Sequence, residues 1–228
     1  MSKLSNALLF LLISFPMLSQ KNDSIAVNFK VNFDQFPLEF NKSYVSAQND
    51  TIQISSFKCY LSGIEIHYTD KTVFIPKTKP HLLDYAIPNS MQLALPNQRK
   101  TIAKVCFNIG IDSVTNTSGA LDGDLDPIKG MYWAWQSGYI NLKIEGQSSS
   151  CQTRKNQFQF HLGGYQQPYY NLRRKEINVK SQDNSIDIVI DLAVFFAETN
   201  LSKTNAVMTP GNKAMELADI SAKMFFAE

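Results

Sequence analysis

Apolar and polar positions alternate with a period of two along most of this chain. Ile25 to Phe33 alternates, as do Thr51 to Ile54, Phe57 to Tyr68 and Thr72 to Ile75. In Thr101 to Ile109, the residues Ala103, Val105, Phe107 and Ile109 share one face. Tyr139 to Glu145 sets Ile140, Leu142 and Ile144 against Tyr139, Asn141, Lys143 and Glu145. Gln157 to Leu162 sets Phe158, Phe160 and Leu162 against Gln157, Gln159 and His161. Glu176 to Lys180 and Ser185 to Ala193 complete the set. Side chains of a strand point to opposite faces in turn, so this pattern predicts strands with one buried face. The fold class it predicts is all-β, an antiparallel β-sandwich.

Only the C-terminal end carries a helical period. From Asn212 to Phe225, Leu217, Ile220 and Met224 fall on one helical face after the Pro210-Gly211 breaker. No repeat or linker interrupts residues 20–228, which read as one domain. Residues 1–19 read as an export signal, with Lys3 in the charged region, an apolar run from Ala7 to Leu18, and the small residue Ser19 at the cleavage point. That run is short for a membrane span, and no later segment supplies one. The expected product is exported, to the periplasm or cell surface.

Charge and cysteine content narrow the partners. The 22 Lys and Arg nearly balance the 20 Asp and Glu. A nucleic-acid footprint needs a clustered basic face, and Arg173-Arg174-Lys175 is too short to be one. Cys59, Cys106 and Cys151 allow one disulfide at most, and a Cys106–Cys151 bridge is one of the available pairings. Without a C-x-x-C pair they do not read as a zinc-thiolate site.

The stretch GMYWAWQSGYINLKIEG, residues 130–146, holds both tryptophans of the chain, Trp133 and Trp135. In an extended tripeptide their indoles share one face. The plain reading is aromatic mass for a β-core; the sharper one is a site that uses indole chemistry. Strand parity places His161 and His67 on polar faces, away from the sandwich core, while His81 follows Pro80 in a loop and reads as structural. His161 precedes Gly163 and Gly164, a place where backbones approach closely. Imidazoles without a thiolate or carboxylate triad suit copper better than structural zinc. Asp112, Asp122, Asp124 and Asp126 invite a calcium reading, but the spacing is not that of an EF-hand, and turn-forming aspartates explain them as well. No G-x-S-x-G or activated nucleophile is present, so the chain does not read as an enzyme.

With these residues in view, the chain resembles the MbnP-like copper-binding family of exported bacterial proteins. FKCYLSGIEI (57–66), FNIGID (107–112), LDPIKGMYWAWQSGYINLKIEG (125–146), FQFHLGGY (158–165) and VMTPGNKAM (207–215) carry the resemblance. It implies a β-sandwich that binds copper outside the cytoplasm. It also implies oxidation of a Trp to kynurenine, a modified side chain that joins His at the metal, with a di-haem peroxidase-like maturation partner. The candidates are Trp133 and Trp135 for oxidation and His161 for ligation; His67 is added by strand parity alone. The alternative is a metal-independent module that binds a glycan or peptide through Tyr132, Trp133, Trp135 and Tyr139.

Overall fold

The computed structural model describes residues 24–96, 98, 100–136, 138–181 and 185–228, so the expected export signal lies outside the described residues. The main strands are β1 (Ser24–Phe33), β2 (Thr51–Tyr68), β3 (Gln92–Pro96), β4 (Ile102–Ile109), β5 (Tyr132–Trp133), β6 (Gly138–Ser148), β7 (Gln157–Gly163), β8 (Arg173–Ser181), β9 (Ser185–Asp191) and β10 (Phe225–Ala227). The helices are α1 (Ser113–Thr117), α2 (Leu192–Glu198) and α3 (Asn212–Lys223).

Two sheets face each other. The larger runs β8-β4-β2-β6-β7 and ends on the short strand Ala206–Val207; the smaller runs β10-β9-β1, with β3 and Phe36–Pro37 also on β1. The alternating apolar residues of both sheets meet between them. Phe29 of β1, Phe57 and Ile66 of β2, Phe107 of β4, Ile144 of β6, Phe160 of β7 and Ile188 of β9 are all buried there. Helices α2 and α3 close the same core with Phe195, Phe196, Leu217 and Ile220. This is the all-β sandwich with a C-terminal helix that the alternation predicts, but it is not wholly antiparallel. Strands β1 and β9 pair parallel, Val27 beside Ile186, as do β7 and Ala206–Val207. Parallel pairing joins segments far apart in sequence, which local periodicity does not report.

Two bulges shape β2. Ser56 opposes Glu145 and Ile54 opposes Gly146, which leaves Ser55 extra and unites two expected strands into one. Ser62 opposes Asn108 and Glu65 opposes Cys106, with Gly63 at φ 54 taking the left-handed turn this second bulge needs. The run expected from Ser185 to Ala193 stops at Asp191, whose carboxylate accepts from the Ala193 amide and starts α2. Among the described residues no helix is long and apolar enough to cross a membrane.

Candidate metal centre

A second apolar cluster covers part of the outer face of the larger sheet. Tyr60 points away from its neighbours Cys59 and Leu61 and packs with Leu82, Ile111, Leu125, Met131, Trp133, Tyr139 and Ile140. The segment from Ile111 to Tyr139 supplies most of this cover. Asn116 anchors it: its Nδ2 donates to the Ile111 carbonyl at 2.9 Å, and its Oδ1 accepts from the Tyr139 amide at 2.8 Å. Tyr60 donates its hydroxyl to the Asp124 carbonyl at 2.8 Å, and burial pushes that phenol upward from its ordinary pKa.

His161 sits at the border of this cover. It lies opposite Lys143 on β6, which lies opposite Lys58 on β2, which lies opposite Asp84 in the strand His81–Asp84. The parity reading is right about direction, since His161 is on the outer face with these polar residues. It does not anticipate burial: His161 is 7% exposed, on a face that is itself partly covered. Its Nε2 lies 2.7 Å from Glu145 Oε1, and that contact is the main reason the Glu145 carboxyl is held below its ordinary pKa, against the opposing effect of burial. A carboxylate can only accept here, so Nε2 carries the proton, and in the neutral imidazole the lone pair is on Nδ1. Lys143 Nζ reaches the Gly130 carbonyl at 3.2 Å and Lys58 Nζ the Lys129 carbonyl at 3.0 Å, tying the loop before Met131 to the sheet.

Trp133 is seated on the strand that carries His161, at Gly163. Gly163 is two residues beyond His161 on the same strand face, roughly 6.6 Å along it. A Cβ on Gly163 would lie 2.8 Å from Trp133 Cζ3 and 2.9 Å from Cη2, so the benzo edge of the indole rests on this glycine. Trp133 is buried, and its Nε1 has no hydrogen-bond partner, although burying an indole N–H unsatisfied is costly. Trp135 is exposed, in the turn after β5, with its ring 5.8 Å from that of Trp133 and tilted 45°. The two indoles therefore touch across a hairpin turn, not along one face of an extended tripeptide. The expected four-ring platform is not formed: Trp133 and Tyr139 are buried, which leaves exposed Trp135 and partly buried Tyr132.

His67 does not join this group. It lies nine residues along β2 from Lys58, a contour of roughly 30 Å. Its neighbours are a carboxylate and a thiol, Glu65 and Cys106, so it does not stand without either as expected. Among the described residues, the aspartates of the 109–127 segment form no group of three converging metal-ligand donors. Asp112 caps α1, Asp126 accepts from the Ile128 amide, and Asp124 holds His81 Nδ1 at 3.2 Å and Lys129 at 3.1 Å. Asp112 and Asp126 thus serve a cap and a turn, while Asp122 pairs with Lys79 at 3.7 Å. His81 is held between Asp124 and the Ser90 carbonyl. All three cysteines are free and buried, with no Cys106–Cys151 bridge.

The centre as it stands offers one imidazole lone pair, a supporting carboxylate and an unpartnered indole. An indole N–H is a donor and not a ligand. Over residues 22–210 the chain matches the family model described as MbnP. Among solved structures, MbnP from Methylosinus trichosporium superposes with a TM-score of 0.60 at 15% identity, over 84% of this chain and 86% of that one, a likeness of fold. No curated protein matches the chain in sequence.

Proposed function

The chain belongs to the MbnP family, and from that membership we propose that it is an exported, non-enzymatic copper-binding protein that acquires or buffers the metal. The observation that carries the residue assignment is the seating of Trp133 on Gly163, beside an outward imidazole whose far nitrogen is held by Glu145. His161 ligates through Nδ1, and the Glu145 carboxylate fixes the tautomer, a common support for metal-bound histidine.

Trp133 becomes the second ligand after oxidation to kynurenine. The indole C2–C3 bond breaks, oxygen from dioxygen or peroxide is added to both carbons, and hydrolysis releases C2 as formate. The product carries an aniline nitrogen and a ketone where the indole had a donor only. A di-haem peroxidase-like partner supplies the oxidising equivalents, and exposed Trp135, in ring contact with Trp133, is the route by which they enter.

Protein purified from its native host tests this reading by copper analysis and intact mass. About one copper per chain is expected, with a mass change equal to one carbon exchanged for one oxygen in the peptide holding Trp133. Trp133→Phe removes the change and Trp135→Phe leaves residue 133 as the only site where it could occur. His161→Ala abolishes tight copper binding. Unmodified Trp133 in copper-loaded native protein, or unchanged affinity in His161→Ala, overturns the assignment.

A further inference from the structure

The outer face of the larger sheet carries a second group of donors, far from Trp133. We propose that Glu65, His67 and Cys106 form a zinc-type site, independent of the copper reading. Their donor atoms all lie within 4.8 Å of one another. Register brings them together: Glu65 of β2 lies directly opposite Cys106 of β4, and His67 follows two residues later on the same face. The bulge at Gly63 sets this phase, turning Glu65 and His67 outward while Ile64 and Ile66 enter the core.

Cys106 is the informative member. Cys59 and Cys151 pack in the sandwich core, but Cys106 points the other way, into charged side chains. It lies opposite Glu176 on its β8 side, and Glu176 is held by Lys104 at 2.6 Å. Glu65 Oε2 is shared by His67 Nε2 at 3.1 Å and an Arg174 guanidinium nitrogen at 2.6 Å, which leaves Oε1 for a further bond. The thiol forms the floor, while His67 and Glu65, each about a quarter exposed, form walls open to solvent.

The donor set selects the ion. Calcium and magnesium take oxygen ligands, and Cu(I) favours thiolate, thioether and imidazole over carboxylate. One sulfur, one nitrogen and one oxygen are a mixed set suited to Zn²⁺, with a fourth position left for water or Glu176. Tetrahedral bonds of about 2.0–2.3 Å put ligand atoms roughly 3.3–3.6 Å apart, so closing the group needs side-chain shifts of about 1 Å. Binding replaces the thiol proton with the metal.

Co²⁺ reports on this site directly, because thiolate coordination gives a charge-transfer band in the near ultraviolet. The full chain is expected to bind one Co²⁺ with that band, and Zn²⁺ is expected to bleach it. Cys106→Ser loses the band. His67→Ala, at a half-buried surface position that spares the core, weakens binding at least about tenfold. His161→Ala leaves the band unchanged, which separates this site from the copper centre. Absence of the band in the wild type, its survival in Cys106→Ser, unaltered affinity in His67→Ala, or failure of Zn²⁺ to displace Co²⁺ overturns the proposal.

Discussion

The benzo edge of Trp133 rests on Gly163 so closely that any side chain there would collide with it. A Cβ would stand 2.8 Å from the ring and 2.6 Å from the Tyr139 carbonyl, which is backbone and cannot rotate aside. Gly163→Ala must therefore lift the indole or part β6 from β7. The expected cost is about 1–3 kcal/mol, the usual range for overpacking. It would be read as a lower urea midpoint at unchanged slope, with loss of the near-ultraviolet circular dichroism of Trp133. Copper binding should fall with it, because the same displacement moves Trp133 away from His161.

The three cysteines give a prediction on redox state. All are buried and unbridged, and burial raises each thiol above its ordinary pKa, Cys151 to about 11. Raised, buried thiols are poor nucleophiles. Metal-free native protein should react slowly with a thiol reagent and yield three equivalents per chain on unfolding, without prior reduction. One equivalent after unfolding would indicate a disulfide and overturn the unbridged state of the three thiols.

How much of this was legible from the residues depends on what each signal measures. Period-two alternation reports which face a side chain takes, and it places Phe158, Phe160 and Leu162 inward and His161 outward, as they are. It does not report what lies over that face, so the burial of His161 stayed hidden. Nor does it report position along a strand: His67 and His161 share a parity but lie at distant points of the sheet. Bulges defeat it for another reason. Ser55 and the Gly63 turn each insert one residue, and only the register of neighbouring strands reveals them. The parallel partner of β1 lies more than a hundred residues away, beyond any local pattern. Cys106 faced outward by the same alternation, yet its partners Glu65 and His67 became visible only through pairing.

The two indoles should separate in solution by access to quencher. Trp135 is 65% exposed and Trp133 6%. Acrylamide or iodide should quench one emitting fraction readily and leave a second, bluer one nearly untouched. Trp135→Phe should remove the quenchable fraction and retain the blue emission. A single uniformly quenched population would mean that the cover formed by Met131 and its neighbours opens in solution.

The Glu145–His161 contact links the candidate copper centre to pH. Hydrogen bonding to His161 holds the Glu145 carboxyl below its ordinary value, with Lys143 adding to the effect and burial opposing it. A carboxyl whose folded pKa is depressed contributes stability that is complete above its unfolded pKa, about 4.3. That stability is lost as pH falls through the folded value. Wild type should therefore be more stable than Glu145→Gln at neutral pH, with the gap closing through the acid limb below about pH 4. His161→Ala should shift the Glu145 carboxyl back toward its ordinary value, measurable by NMR titration of the carboxyl carbon. In copper-loaded protein the same Glu145→Gln change should cost about 10- to 100-fold in affinity, the range for a carboxylate that supports a metal-bound imidazole. Unchanged affinity, with the stability difference still present, would make Glu145 a partner in the fold alone and point the metal to the other nitrogen of His161.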